Sequence, residues 1–212
     1  WLVSALQWST DTRDPYSSSH GYVQNIMRWS FLNHRTSDPP ISWEQIRGIS
    51  ERVYGTPLAL DPESGYQAKA YPAYYHDKRS VMKDSLPTDD QVFPLIYSVT
   101  TQDRFFRIDG PGDMGKIAGP SIDYHLFRLG TGTDWSEEEF ERAAERVYTL
   151  ERALCVRHWG RNRQMDESVL PAYEYEENWV NEVLGEKYAL ERERFLPVMD
   201  DYYRCFRSEE HT

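Results

Sequence analysis

The chain has 212 residues and a mass of 25.0 kDa, and its 24 Lys and Arg against 35 Asp and Glu leave a formal net charge of −11. That balance excludes a nucleic-acid binder, since phosphate contacts need clustered basic residues, and a mean hydropathy of −0.75 without a run of about 20 apolar residues leaves no helical membrane span. Two cysteines, Cys155 and Cys205, are too few for a disulfide scaffold or for an iron–sulfur cluster held by this chain alone, while 14% aromatic residues argue against disorder.

In chain order, Trp1-Leu2-Val3-Ser4-Ala5-Leu6 opens apolar, without the initiator Met and basic segment of a signal peptide. It reads as entry in mid-helix to a piece of a longer protein. No Asn-x-Ser/Thr sequon occurs, so a cytoplasmic location is expected. Asp11, Arg13, Asp14 and His20 follow in a Pro-broken polar run, where carboxylates flank a histidine suited to proton transfer; a capped, solvated loop explains the same run. Gly21 to Leu32 is a short aromatic helix candidate. Ser42 caps a second helix over Trp43 to Tyr54, with Ile46, Ile49 and Val53 at helical spacing and Gly55-Thr56-Pro57 as its stop. Ala73 to Leu86 reads as helical until Pro87.

Asp84, Asp89 and Asp90 then place three carboxylates at a helix-to-loop junction, fit for a hard cation or for the N–H groups of a heterocycle; turn formation is the commoner use of such acids. Val92 to Val99 is the best strand candidate, although a buried helix fits as well. Gly110 to Lys116 nearly matches a phosphate-binding loop, but Ile117 replaces the magnesium-binding hydroxyl and Asp113 opposes an anion, so a surface loop is the better reading. Ser136 and Glu139 form a capping box ahead of a helix running to about Trp159, with Phe140, Ala143, Ala144, Val147, Leu150 and Leu154 as its apolar stripe. Arg152, Arg157, Arg161 and Arg163 make its end basic, for dipole compensation or to grip an anion of a cofactor or neighbouring domain. A last helix spans Glu191 to Phe206, with Pro197 tolerable only near its first turn. The class is mainly α.

Several of these segments together resemble the C-terminal region of the aldehyde:ferredoxin oxidoreductases. They are Gly130-Thr-Gly-Thr-Asp-Trp135-Ser-Glu-Glu-Glu-Phe140, Leu150-Glu151-Arg152-Ala153, Asp166-Glu-Ser-Val-Leu170-Pro171, and Asp200-Asp201-Tyr202-Tyr203. Upstream, Met82-Lys83-Asp84-Ser85-Leu86-Pro87 resembles the family's pterin-binding Asp-x-x-Gly-Leu-Cys element. The resemblance implies an irregular multi-helix domain over residues 1–212, with a possible subdivision at 1–105 and 106–212, packed on an N-terminal β domain. It also implies a tungsten or molybdenum bis-pyranopterin and a [4Fe–4S] cluster, aldehyde oxidation, and electron transfer to ferredoxin or another carrier. Asp84 would contact the pterin, and His20 would stand near metal and substrate. Where the family pattern has its cluster cysteine, this chain has Asp89, a harder iron ligand if the cluster exists. The isolated chain is expected to be inactive and to carry a broad apolar patch for its missing neighbour.

Two other readings compete. One is a non-enzymatic α-helical interaction module, using the Trp and Tyr content for a protein partner. The other is a metal-dependent hydrolase assembled from Asp11, Asp14, His20, Asp84 and Asp89.

Overall fold

Helix boundaries follow the local chemistry closely. The computed structural model describes residues 2–13, 42–86, 122–176, 180–181, 186–187 and 189–207. The apolar opening run forms α1 (Leu2–Thr10), with Val3, Ala5 and Leu6 buried. Helix α2 (Trp43–Tyr54) starts on the expected cap, where Ser42 Oγ accepts from the Gln45 N–H at 3.1 Å and Gln45 returns a bond to the Ser42 N–H. Gly55 ends α2 at φ 71°, a left-handed conformation that a side chain would resist. The loop to the next helix is tied down by the Lys69 ammonium, which donates to the carbonyls of Leu58, Ala59 and Asp61 at 3.0, 2.9 and 3.2 Å. Burial pushes the Lys69 pKa down to about 8, against the pull of Asp61.

Helix α3 (Ala70–Ser85) begins earlier than the sequence reading placed it, because Pro72 sits in the first turn, where no backbone N–H is required. After α4 (Ile122–Thr131), the capping box of Ser136 and Glu139 opens α5 (Glu137–Trp159) as expected, and Gly160 closes it at φ 65°. Short α6 (Arg163–Glu167) and a two-residue antiparallel ladder, β1 (Val180–Asn181) with β2 (Glu186–Lys187), precede α7 (Arg192–Arg207). Pro197 lies inside α7 rather than in its first turn. The helix nevertheless continues, because Phe195, Val198, Met199 and Tyr202 bury on either side of the missing backbone bond.

Helix α3 is the axis of the fold and packs against α7, α5 and α1, with α2 alongside. The main core joins Leu6, Ile46, Ile49, Val53, Ala73, Tyr74, Phe195, Met199 and Tyr202, so it draws on both ends of the chain. A smaller core gathers Met82, Tyr124, Phe140 and Ala144, with Leu86 and Phe127 packed on it. Among the described residues the domain is mainly helical, as expected.

The α5 stripe needs correction. Phe140, Ala144, Tyr148 and Cys155 are the buried residues, whereas Val147, Leu150 and Leu154 are 37%, 60% and 42% exposed. At about 100° per residue the exposed set lies roughly a quarter of a turn from the buried one. Helix α5 therefore has two apolar faces, and only one is covered within the described residues. The candidate elements at Gly21–Leu32 and Val92–Val99 and the loop Gly110–Lys116 lie outside those residues.

Candidate functional site

Helix α3 carries Tyr75-His76-Asp77-Lys78-Arg79-Ser80-Val81-Met82-Lys83-Asp84, and everything from Tyr75 to Lys83 is buried. Charged groups tolerate such a place only when paired or neutral. The basic side chains are paired. Arg79 meets Asp123 of α4 and, at 2.9 Å, Glu141 of α5, while the Lys78 ammonium lies 3.0 Å from Glu141 and 3.6 Å from Glu145. Burial alone would raise the Glu141 carboxyl, but Arg79 and Lys78 outweigh it and hold its pKa below the ordinary value.

Two other α3 groups are instead shifted towards their neutral forms. His76 contacts the Tyr54 hydroxyl through Nε2 at 2.7 Å, and burial, assisted by the Arg79 charge, pushes its pKa down to about 3. Asp77 accepts from Gln7 Nε2 at 3.0 Å and from the Tyr202 hydroxyl, which itself lies 2.7 Å from the Tyr148 hydroxyl. Burial first, then the nearby Asp11 charge, push Asp77 up to about 8 despite those hydrogen bonds.

The exposed end of this spine is Asp84. Its carboxylate is 47% exposed, accepts from Arg13 NH1 through Oδ2, and has Lys83 Nζ 3.6 Å from Oδ1. Arg13 also donates to Ser80 Oγ at 3.3 Å and lies, through Nε, 3.2 Å from Glu151 Oε2. Asp84 is thus an acceptor held through Oδ2, with its side chain about half exposed. That chemistry fits the N–H groups of a pterin-type heterocycle.

The basic end of α5 is engaged within the fold. Asp166, whose side chain has no exposure, receives Arg152, Arg161 and the Tyr203 hydroxyl. Arg161 also donates to the Ser9 carbonyl at 2.9 Å and to that of Asp11, closing the C-terminal end of α1. Arg163 bridges Glu167 at 2.7 Å, Asp200 at 2.9 Å and the Leu196 carbonyl at 3.2 Å. Neither use read from the sequence, dipole compensation or the grip on an outside anion, describes these three arginines: they pair with carboxylates and carbonyls within the fold. A cavity of about 600 Å³ opens beside them, lined among others by Tyr148, Arg152, Arg163, Tyr203 and Phe206.

Of the residues nominated from sequence, Asp84 and Asp11 are placed, and Arg13 links them: its N–H donates to Asp11 Oδ1 at 3.1 Å. His20, Asp14 and Asp89 lie outside the described residues. Among the described residues no group of three or more His, Cys, Asp or Glu is arranged to hold a metal ion, and no helix is long and apolar enough to cross a membrane. Sequence reasoning missed Asp77 entirely, because an Asp between His and Lys reads as solvated. It also missed the contact of Glu151 with Arg13, although both residues stood in segments already singled out.

The sequence matches the family described as aldehyde ferredoxin oxidoreductase, domains 2 & 3, over residues 32–208. Neither the curated proteins nor the solved structures contain a match.

Proposed function

The chain belongs to the aldehyde ferredoxin oxidoreductase family, within its domains 2 and 3, and on that premise we propose that it forms one wall of the cofactor and substrate cavity of an aldehyde-oxidising enzyme. When bound, a tungsten or molybdenum bis-pyranopterin supplies the two-electron oxidation, and a [4Fe–4S] cluster supplies the path onward to ferredoxin or a similar carrier. In this reading Asp84 accepts hydrogen bonds from pterin N–H groups and His20 handles a proton near the substrate. Asp89 stands where the family has its cluster cysteine and would offer a hard oxygen ligand. The N-terminal domain of the same protein is the partner. Because the cofactor is held jointly, this chain alone would not turn over.

The observation that carries the proposal is the family match over residues 32–208. The half-exposed, acceptor-only Asp84 carboxylate at the end of α3 supports it. The test is metal analysis of the full-length protein, together with aldehyde-dependent reduction of ferredoxin or a viologen dye. Tungsten or molybdenum near one per chain with dye reduction is the expected result, and neither metal overturns the proposal. Iron that disappears in Asp89→Ala would assign Asp89 to the cluster, and no iron would mark a cluster-free relative.

A second reading, a non-enzymatic helical module for a protein partner, is favoured by the exposed Val147, Leu150 and Leu154 on α5. A full-length protein that binds neither tungsten nor molybdenum, with this face shielded in a complex, would support it instead.

A further inference from the structure

Asp84 stands at the exposed end of a helix, where a lone carboxylate would sample several rotamers. A ligand contact made through it would then bear the ordering cost of that side chain. The structure removes that freedom. At the end of α1 the chain turns so that the Arg13 N–H donates to Asp11 Oδ1 at 3.1 Å, and the Arg13 side chain is directed towards the end of α3. There the guanidinium reaches three oxygens on two helices: Asp84 Oδ2, Ser80 Oγ at 3.3 Å, and Glu151 Oε2 at 3.2 Å. Glu151 is itself fixed, since Thr12 Oγ1 donates to the same Oε2 at 2.8 Å. Thr12 and Arg13 therefore grip one carboxylate of α5 while Arg13 grips another on α3.

The charges suit this arrangement. Arg13 and Glu151 are each 26% exposed and together carry no net charge, so the Asp84 carboxylate is oriented without being buried. Its Oδ2 is taken by Arg13. Among the described residues its Oδ1 has the Lys83 ammonium at 3.6 Å, beyond hydrogen-bonding distance. A carboxylate oxygen has two acceptor positions, so Oδ1 keeps capacity for an N–H donor from a ligand.

We propose that Arg13, backed by Glu151 and Thr12, is the positioning residue for Asp84, holding the carboxylate by Oδ2 so that Oδ1 is presented to the N–H groups of a heterocyclic cofactor. This rests on the reading that Asp84 contacts the pterin. The planar fork is essential to it. A lysine at position 13 keeps the charge but cannot reach Asp84, Ser80 and Glu151 together.

The test uses the full-length protein and reads pterin and tungsten or molybdenum bound per chain in Asp84→Asn, Arg13→Lys and the double variant. Melting temperatures are taken on protein from cells grown without tungstate or molybdate. The expected result is a loss of occupancy of about tenfold in each single variant, the scale on which residues supporting a ligand usually act. The double variant should be no worse than Asp84→Asn alone, because both changes remove one interaction. The cofactor-free melting temperature of Arg13→Lys should be unchanged. Loss in Asp84→Asn with none in Arg13→Lys, or with additive losses in the double variant, overturns the positioning role and leaves the Asp84 reading standing. Full occupancy in Asp84→Asn removes that reading and the proposal with it. A cofactor-free Arg13→Lys protein that melts early reduces Arg13 to a structural residue and overturns the proposal.

Discussion

At the scale of single residues, the molecule depends on how buried carboxylates are satisfied, and two of them behave oppositely. Burial works to raise the Asp166 pKa, but hydrogen bonds from Arg152, Tyr203 and Arg161 and the Arg152 charge hold it below the ordinary carboxylate value. A lowered folded-state pKa contributes stability above the unfolded value, near 3.9, that is lost as pH falls through the folded value. Asp166→Ala leaves two arginines without their shared partner and should destabilise the fold by about 3–5 kcal/mol at neutral pH, measured by urea unfolding. The same variant should lose the acid-side decline below pH 4. Asp77 has the reverse sign. With its folded value near 8, the folded state binds a proton that the unfolded state has released, so its contribution falls as pH rises from about 4 to 8. The slope is at most about 1.4 kcal/mol per pH unit for one proton. Asp77→Asn should flatten it in unfolding titrations across that range, and an unchanged slope would show that Asp77 is not the group responsible.

At the scale of elements, α5 shows how far periodicity reaches. Its start was legible: Ser136 and Glu139 form the reciprocal cap, with Ser136 Oγ accepting at 3.2 Å and Glu139 Oε2 at 2.7 Å. Ser136→Ala should remove about 1 kcal/mol of stability. The side of α5 that is buried was not legible, because two apolar stripes share the helix at neighbouring angles and either satisfies the same spacing rule. Burial separates them: Phe140 has no exposure and Leu150 is 60% exposed. Phe140→Ala is accordingly expected to cost about 3–5 kcal/mol. Helix α3 was located, but its nature was not. Nothing along the chain marked its His, Asp, Lys and Arg as buried, whereas α1, α2, α4, α5 and α7 each bring a partner against them.

At the scale of the whole molecule, the outward face of α5 is an apolar face left uncovered among the described residues. If the proposed N-terminal partner packs on this face in the full-length protein, Leu150→Glu lowers stability by about 2 kcal/mol, the order of one buried leucine. Val156→Glu makes the matched control, since Val156 is 48% exposed and lies about 120° round the helix from Leu150. It should stay within about 0.5 kcal/mol of the parent protein. Thermal melting of both variants decides the matter, and equal effects would mean that the Leu150 face is not the covered one.

Local sequence by itself determined the class of this protein and the ends of α2 and α5. Caps, Gly stops and three- and four-residue spacing act within a few positions of one another and need no distant partner. Ordered motifs were enough to point to the family that the match over residues 32–208 bears out. Only the tertiary structure decided which charges are buried, which stripe of α5 is core, and that Asp84 is held by Arg13 across 71 positions of chain. Those outcomes depend on which helices meet. A carboxylate's charge state and direction are set by the groups brought against it, and no spacing rule along the chain contains that information.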